Sequence, residues 1–136
     1  MGQEKLGVVD ETAIKAVGLF GGGIARSGST CGALLGAVAA IAGMHGRGNL
    51  EEKEDPVMWE LGDRIVRRFQ ELTGEFGGIR CQEIARVDWK DPQAVSEFRG
   101  PNGRRGVCIE LVGEVAQALG ELLDQQSSGL RSNDIQ

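Results

Sequence analysis

The clearest periodic signal in the chain lies in residues 57–72, where Val57, Leu61, Ile65, Phe69 and Leu72 recur at three- and four-residue steps opposite Glu60, Asp63, Arg64, Arg67 and Glu71. An apolar stripe backed by a charged one predicts an amphipathic helix lying on a core. Pro56 suits its first turn, where a missing N–H costs no hydrogen bond, and Thr73-Gly74 through Gly77-Gly78 stops it. A second stripe, Cys108, Leu111, Val112, Val115, Leu119 and Leu122, predicts a last helix with Cys108 turned inward and Glu110, Glu114, Gln117 and Glu121 facing water. From Gln125 onward the chain is polar and is expected to fray.

Residues 31–44 carry no charge, so they predict a helix without a water-facing stripe. Ser29 or Thr30 reads as its N-cap, Gly43 and Gly46 as its end beside His45 and Arg47, and Cys31 falls in its first turn. Gly32, Ala33, Gly36, Ala37, Ala40 and Gly43 give it a surface of small side chains that neighbouring helices can approach closely. Shorter elements flank it. Asp10 caps a helix with Ile14, Val17 and Phe20 on one face, Cys81 opens or closely precedes a turn through Ala85, and Asp91-Pro92 starts a helix through Phe98. Glu51, Glu52, Glu54 and Asp55 read as a solvated run. No strand-length alternation occurs. The expected fold is all-α, a compact bundle of about four to five helices around the Gly/Ala-rich helix as the central one. It forms a single domain over residues 1–126, followed by a polar tail, 127–136. One local echo stands out: Phe20-Gly-Gly-Gly-Ile24-Ala-Arg26 before Cys31 is similar to Phe76-Gly-Gly-Ile79-Arg80 before Cys81.

Composition narrows the function classes. A net charge of −5, with no basic run longer than two residues, argues against a nucleic-acid partner. The N-terminus has no basic region leading into an apolar core, and the uncharged run from Ser27 to Met44 falls short of the roughly 20 residues that span a bilayer. A cytoplasmic protein with no membrane span is expected. The 136 residues include 22 glycines and three cysteines, and the odd cysteine count disfavours a disulfide framework. No two cysteines form CxxC, which excludes zinc-ribbon, thioredoxin and attached-haem signatures.

The cysteines nevertheless carry the candidate chemistry. A thiol at a helix N-terminus meets unpaired N–H groups and the positive end of the helix dipole, both of which favour thiolate. Cys31 fits that description. Arg26, Arg80 and the pair Arg104 and Arg105 each precede a cysteine, so Gly21, Gly22 and Gly23 with Arg26 and Arg80 are candidates for holding an anionic ligand or cofactor. Cys31, Cys81 and Cys108 could bind a soft metal or an iron–sulfur cluster through three thiolates. The blander alternative is that they pack as small apolar groups. His45, the lone histidine, reads as a helix C-terminal group rather than a ligand or base.

These residues resemble a known family. Phe20-Gly-Gly-Gly-Ile24, then Cys31-Gly-Ala-Leu-Leu-Gly36, then Gly43-Met-His-Gly46-Arg47 are similar to the CGAxxG signature of the C_GCAxxG_C_C family of redox-active proteins, with Cys81 and Cys108 as its downstream single cysteines. The resemblance implies a small helical redox-type domain with Cys31, Cys81 and Cys108 in one redox or metal site. Similar domains occur in split-Soret cytochromes, but this chain lacks the CxxCH needed for covalent haem. The family pattern also carries a cysteine upstream of the glycine segment, and none precedes Cys31 here, which implies either a missing cysteine-bearing helix or a three-thiol site. Three functional readings stay open: redox chemistry through thiols or a cysteine-ligated metal or iron–sulfur centre, with a redox partner protein and a homodimer as partners; a non-catalytic metal- or anion-binding module; and a structural member whose cysteines merely pack.

Overall fold

The computed structural model describes residues 3–4 and 7–133, with side chains as far as Ser128. Its helices are α1 (Glu11–Ala16), α2 (Gly32–His45), α3 (Pro56–Leu72), α4 (Cys81–Ala85), α5 (Pro92–Arg99) and α6 (Arg105–Asn133), with 3₁₀ turns at Gly18–Phe20 and Gly74–Phe76. The described residues contain no strand, and their one isolated β-bridge joins Thr30 to Arg80 in antiparallel sense. The fold is all-α.

Aspartates start three of the helices. Asp10 accepts hydrogen bonds from the Thr12 and Ala13 N–H groups, Asp55 from Val57 and Asp91 from Gln93, with Pro56 and Pro92 following the latter two caps. Each carboxylate satisfies N–H groups that the first helical turn cannot pair internally. The acidic run before α3 is therefore more structured than a solvated run. His45 Nδ1 lies 2.8 Å from Asp55 Oδ2, and Glu52 accepts the Gly48 N–H at 2.6 Å. Glu54 takes the Trp59 indole N–H. His45 thus ties the end of α2 to the N-cap of α3.

Helices α2, α3 and α6 pack pairwise. They bury Leu34, Ala37 and Ile41 from α2, Leu61, Ile65 and Phe69 from α3, and Leu111, Val115, Ala118, Leu119 and Leu123 from α6, with Ile84 of α4 added. Each large side chain here is worth roughly 1.5–3 kcal/mol of burial, so this interface dominates the fold. A second cluster collects Cys81, Ala85 and Val87 with Trp89, Ala94, Val95 and Phe98, and Cys108 touches both clusters.

Several local expectations change. Ile14 is 55% exposed and α1 buries no residue, because the helix stops at Ala16 before its apolar face can reach the core. Val112, expected inward, is 54% exposed: Leu111 takes the core direction, and the next residue points about 100° around the helix. Helix α6 continues through the polar segment to Asn133 instead of fraying after Gln125.

The glycine segment is the most constrained backbone. Gly22, Gly23, Ile24, Ala25 and Arg26 have φ values of 66°, 68°, 63°, 51° and 64°, five consecutive left-handed residues of which three carry a Cβ. Such a conformation costs L-residues roughly 1–2 kcal/mol each. It is held by bonds from the Ala25 N–H to Leu19 O (2.7 Å), Gly28 N–H to Gly22 O and Ser29 N–H to Gly23 O (3.0 Å each), and by the Ser27 hydroxyl donating to Gly23 O at 2.6 Å. Gly23 is buried, and a Cβ there would lie 2.5 Å from Cys81 Cβ and 2.6 Å from Ser29 O. Gly23→Ala should therefore lower stability by about 2–5 kcal/mol, combining left-handed strain with overpacking. In contrast, Gly113→Ala, in open space on α6, should raise it by about 0.5–1 kcal/mol. Denaturant midpoints at constant m-value check both.

Candidate functional site

Two glycine-rich loops build the site by meeting each other. Each begins with a Gly-x-Phe 3₁₀ turn, Gly18–Phe20 and Gly74–Phe76, so the echo seen in sequence is also an echo in structure. Their downstream ends pair around the Thr30–Arg80 bridge. The Cys31 N–H donates to Ile79 O at 3.0 Å, the Cys81 N–H to Ser29 O at 2.6 Å and the Gln82 N–H to Gly28 O at 3.1 Å. Side chains alternate along extended backbone, so Cys31 and Cys81, each one residue from the bridged pair, leave it on the side opposite Thr30 and Arg80. A helix then follows each cysteine, α2 after Cys31 and α4 from Cys81.

Cys31 is itself the N-cap of α2, which begins at Gly32, one residue later than expected, and makes no side-chain capping bond. Thr30 instead pairs with Arg80 in the bridge, and the Ser29 carbonyl accepts from the Cys81 N–H. Cys108 arrives from the first turns of α6. All three cysteines are unpaired: Cys81 is buried, and Cys31 and Cys108 are half-buried. They line one cavity of about 720 Å³, together with Phe20, Trp89, Phe98 and Arg105. Gly32 lets α2 begin there, since a Cβ would lie 2.6 Å from Phe20 O.

The cavity's electrostatics separate the thiols. Burial pushes Cys81 up from the ordinary thiol range; Trp89 opposes this shift and the nearby Cys31 adds to it. The Trp89 Nε1–H is buried without an acceptor in ordinary hydrogen-bond geometry, so its effect on Cys81 is that of a near donor dipole. Burial also pushes Cys108 up, followed by the charges of Cys81 and Cys31, while Arg104 acts in the opposite sense. Arg104 is fixed by donating from Nη2 to Ile84 O at 3.1 Å. The mutual influence of the three sulfurs is consistent with their shared cavity.

The ligand set read from sequence is rearranged. Gly21 and Gly22 line the thiol cavity; Gly23, Arg26 and Arg80 do not, and Arg26 borders a separate polar depression with Arg86 and Lys90. The N–H groups of residues 24–29 are all spent inside the left-handed turn and its closure, leaving none of them for an anion. Among the described residues, no three His, Cys, Asp or Glu side chains are arranged to hold a metal ion.

Trp89 and Phe98 were not legible as site residues. They meet edge-to-face at 5.1 Å between ring centroids, and the one sequence signal they offered was the scarcity of aromatic residues. Arg105 carries its charge to the cavity in place of Arg26 and Arg80.

The architecture is that of a helical domain gathering unpaired thiols beneath a glycine-rich loop. The chain belongs to the family described as "Putative redox-active protein (C_GCAxxG_C_C)", which matches residues 1–122. Neither a curated protein nor a solved structure matches it. Among the described residues, no helix is long and apolar enough to cross a membrane.

Raised thiol pKa values have a definite consequence for stability. The native state retains the Cys81 and Cys108 protons after the unfolded chain has released its own. Their contribution is thus complete below the ordinary thiol pKa of about 8.5 and is lost as pH climbs through the folded values. Denaturant midpoints under reducing conditions should fall between pH 7.5 and pH 10, and a double Cys81→Ala, Cys108→Ala variant should fall less steeply.

Proposed function

We propose that the protein is a thiol–disulfide redox protein in which Cys31 is the attacking thiol, Cys81 its disulfide partner and Cys108 the third member of the same site. The observation that carries this reading is the convergence of three unpaired cysteines from separate segments on one cavity. Cys31 stands at the mouth of α2, where the first N–H groups have no side-chain cap, and a thiolate formed there meets the positive end of the helix. Cys81 and Cys108, held protonated by their surroundings, are poorer nucleophiles.

In exchange with a partner protein's disulfide, the Cys31 sulfur attacks one partner sulfur and the other leaves as thiolate. Cys81 then gives up its proton and attacks Cys31, forming the Cys31–Cys81 disulfide and releasing the second partner thiolate. Two electrons pass to the partner, and the reverse sequence returns them. The bridge geometry supports this pairing, because it directs both cysteines to one side. Helix α2 serves as the central scaffold, its Gly36, Ala37 and Ala40 leaving the cavity its width.

Anaerobically reduced protein should contain three titratable thiols per chain. Treatment with diamide should remove two of them reversibly, with peptide mapping locating an intramolecular Cys31–Cys81 bond. Cys31→Ser should abolish that product. Three persistent thiols after diamide, or three that react without forming an intramolecular bond, would count decisively against the reading.

A further inference from the structure

The thiol cavity is larger than dithiol chemistry alone requires, and its two ends differ. At one end stand the three sulfurs, the exposed Arg105 and the Trp89 ring. Phe20, Trp89 and Phe98 are also at the cavity, three of the chain's four Phe and two Trp. From there the cavity runs between α2 and α6, past Gly36, Ala37 and Ala40 on one side and Val112, Val115 and Leu119 on the other. Cys108 to Leu119 spans eleven helical steps, about 16 Å along α6. Ile109 and Val112, 60% and 54% exposed, leave apolar surface along this path uncovered. A volume of about 720 Å³ lies within the usual range for a small-molecule site, roughly 300–1,000 Å³.

We propose that this cavity binds a quinone, with its ring among the aromatic side chains beside the thiols and its aliphatic tail in the groove between α2 and α6. The inference rests on the thiol–disulfide reading above and supplies its small-molecule electron acceptor. A planar ring suits the Trp89–Phe98 edge-to-face pair, while an uncharged tail suits a groove built from Gly, Ala, Val and Leu. Arg105 offers hydrogen-bond donors for a ring oxygen at the thiol end. The reaction balances without a further reagent. Cys31 and Cys81 each lose a proton and together lose two electrons as their S–S bond forms. The two quinone carbonyl oxygens receive both protons, and the ring receives both electrons, becoming the quinol.

The test uses two probes. Duroquinone carries a methyl group on each of its non-carbonyl ring carbons, which blocks alkylation of a thiol by the ring, and decylubiquinone adds a ten-carbon tail. In a Trp59→Phe variant, Trp89 is the remaining tryptophan, so its fluorescence reports the cavity. Both quinones should quench it saturably, the tailed one at lower concentration. Mixing with reduced protein under argon should consume two thiols for each quinol formed. Gly36→Leu, at a position where an added Cβ meets nothing within 4 Å, should place its side chain in the groove and weaken decylubiquinone at least about tenfold, with little change for duroquinone. Circular dichroism of that variant verifies its fold. Absence of saturable quenching, quenching without thiol loss, or equal weakening of both probes in the folded Gly36→Leu variant would overturn the proposal. If diamide forms the Cys31–Cys81 bond but quinones do not, the quinone assignment fails and the thiol reading stands. If neither oxidant forms it, both fall.

Discussion

Three backbone hydrogen bonds between residues 28–31 and 79–82 do more than any side chain to define this molecule. Without them, Cys31 and Cys81 belong to loops separated by the whole of α2 and α3, and no helix-packing rule would bring them together. With them, both thiols are directed to one side of the bridge and each is followed by a helix, so the core fixes the two sulfurs indirectly. Cys108 completes the group because α6 contacts α2, α3 and α4, placing its first turns where the two apolar clusters meet.

The bridge in turn requires a tightly folded loop. Gly22–Arg26 runs left-handed so that Gly28 and Ser29 can bond back to Gly22 and Gly23 and then present their own carbonyls to Gln82 and Cys81. Ile24, Ala25 and Arg26 bear the strain of that path, which is tolerated because six successive N–H groups, 24 through 29, find acceptors within the loop. Gly23 has a second role: Cys81 packs where its side chain would have been. The glycines therefore bring loop and thiol into contact.

The helices were largely legible in sequence because they depend on local rules. Asp10 and Asp91 cap as their types and positions suggest, and the Leu61–Ile65–Phe69 stripe is buried as its spacing requires. What could not be read was non-local. Cys31 takes the N-cap position while Thr30 bridges Arg80 and Ser29 accepts from Cys81, a pairing with a segment 50 residues away that no window of sequence displays. Trp89 gives no periodic or spacing signal, yet its N–H acts on Cys81. Arg26 and Arg80 stand near cysteines in sequence but away from the cavity, because the left-handed turn and the alternation at the bridge direct them elsewhere. Proximity along the chain identified the cysteines; only the fold could select which cations and aromatic rings accompany them.

The resulting site divides labour through burial. Three identical side chains, placed in three environments, need not share one reactivity. Desolvation holds Cys81 and Cys108 toward the thiol form, and each sulfur's charge would further discourage ionisation of its neighbours, so the cavity resists carrying more than one thiolate at once. A site with that property favours sequential chemistry. In the proposed thiol exchange, one sulfur reacts, its charge is consumed in the new bond, and the fall in local negative charge makes the second sulfur easier to ionise. Trp89 beside Cys81 and Arg104 beside Cys108 offset burial without cancelling it, so both thiols stay above the ordinary range.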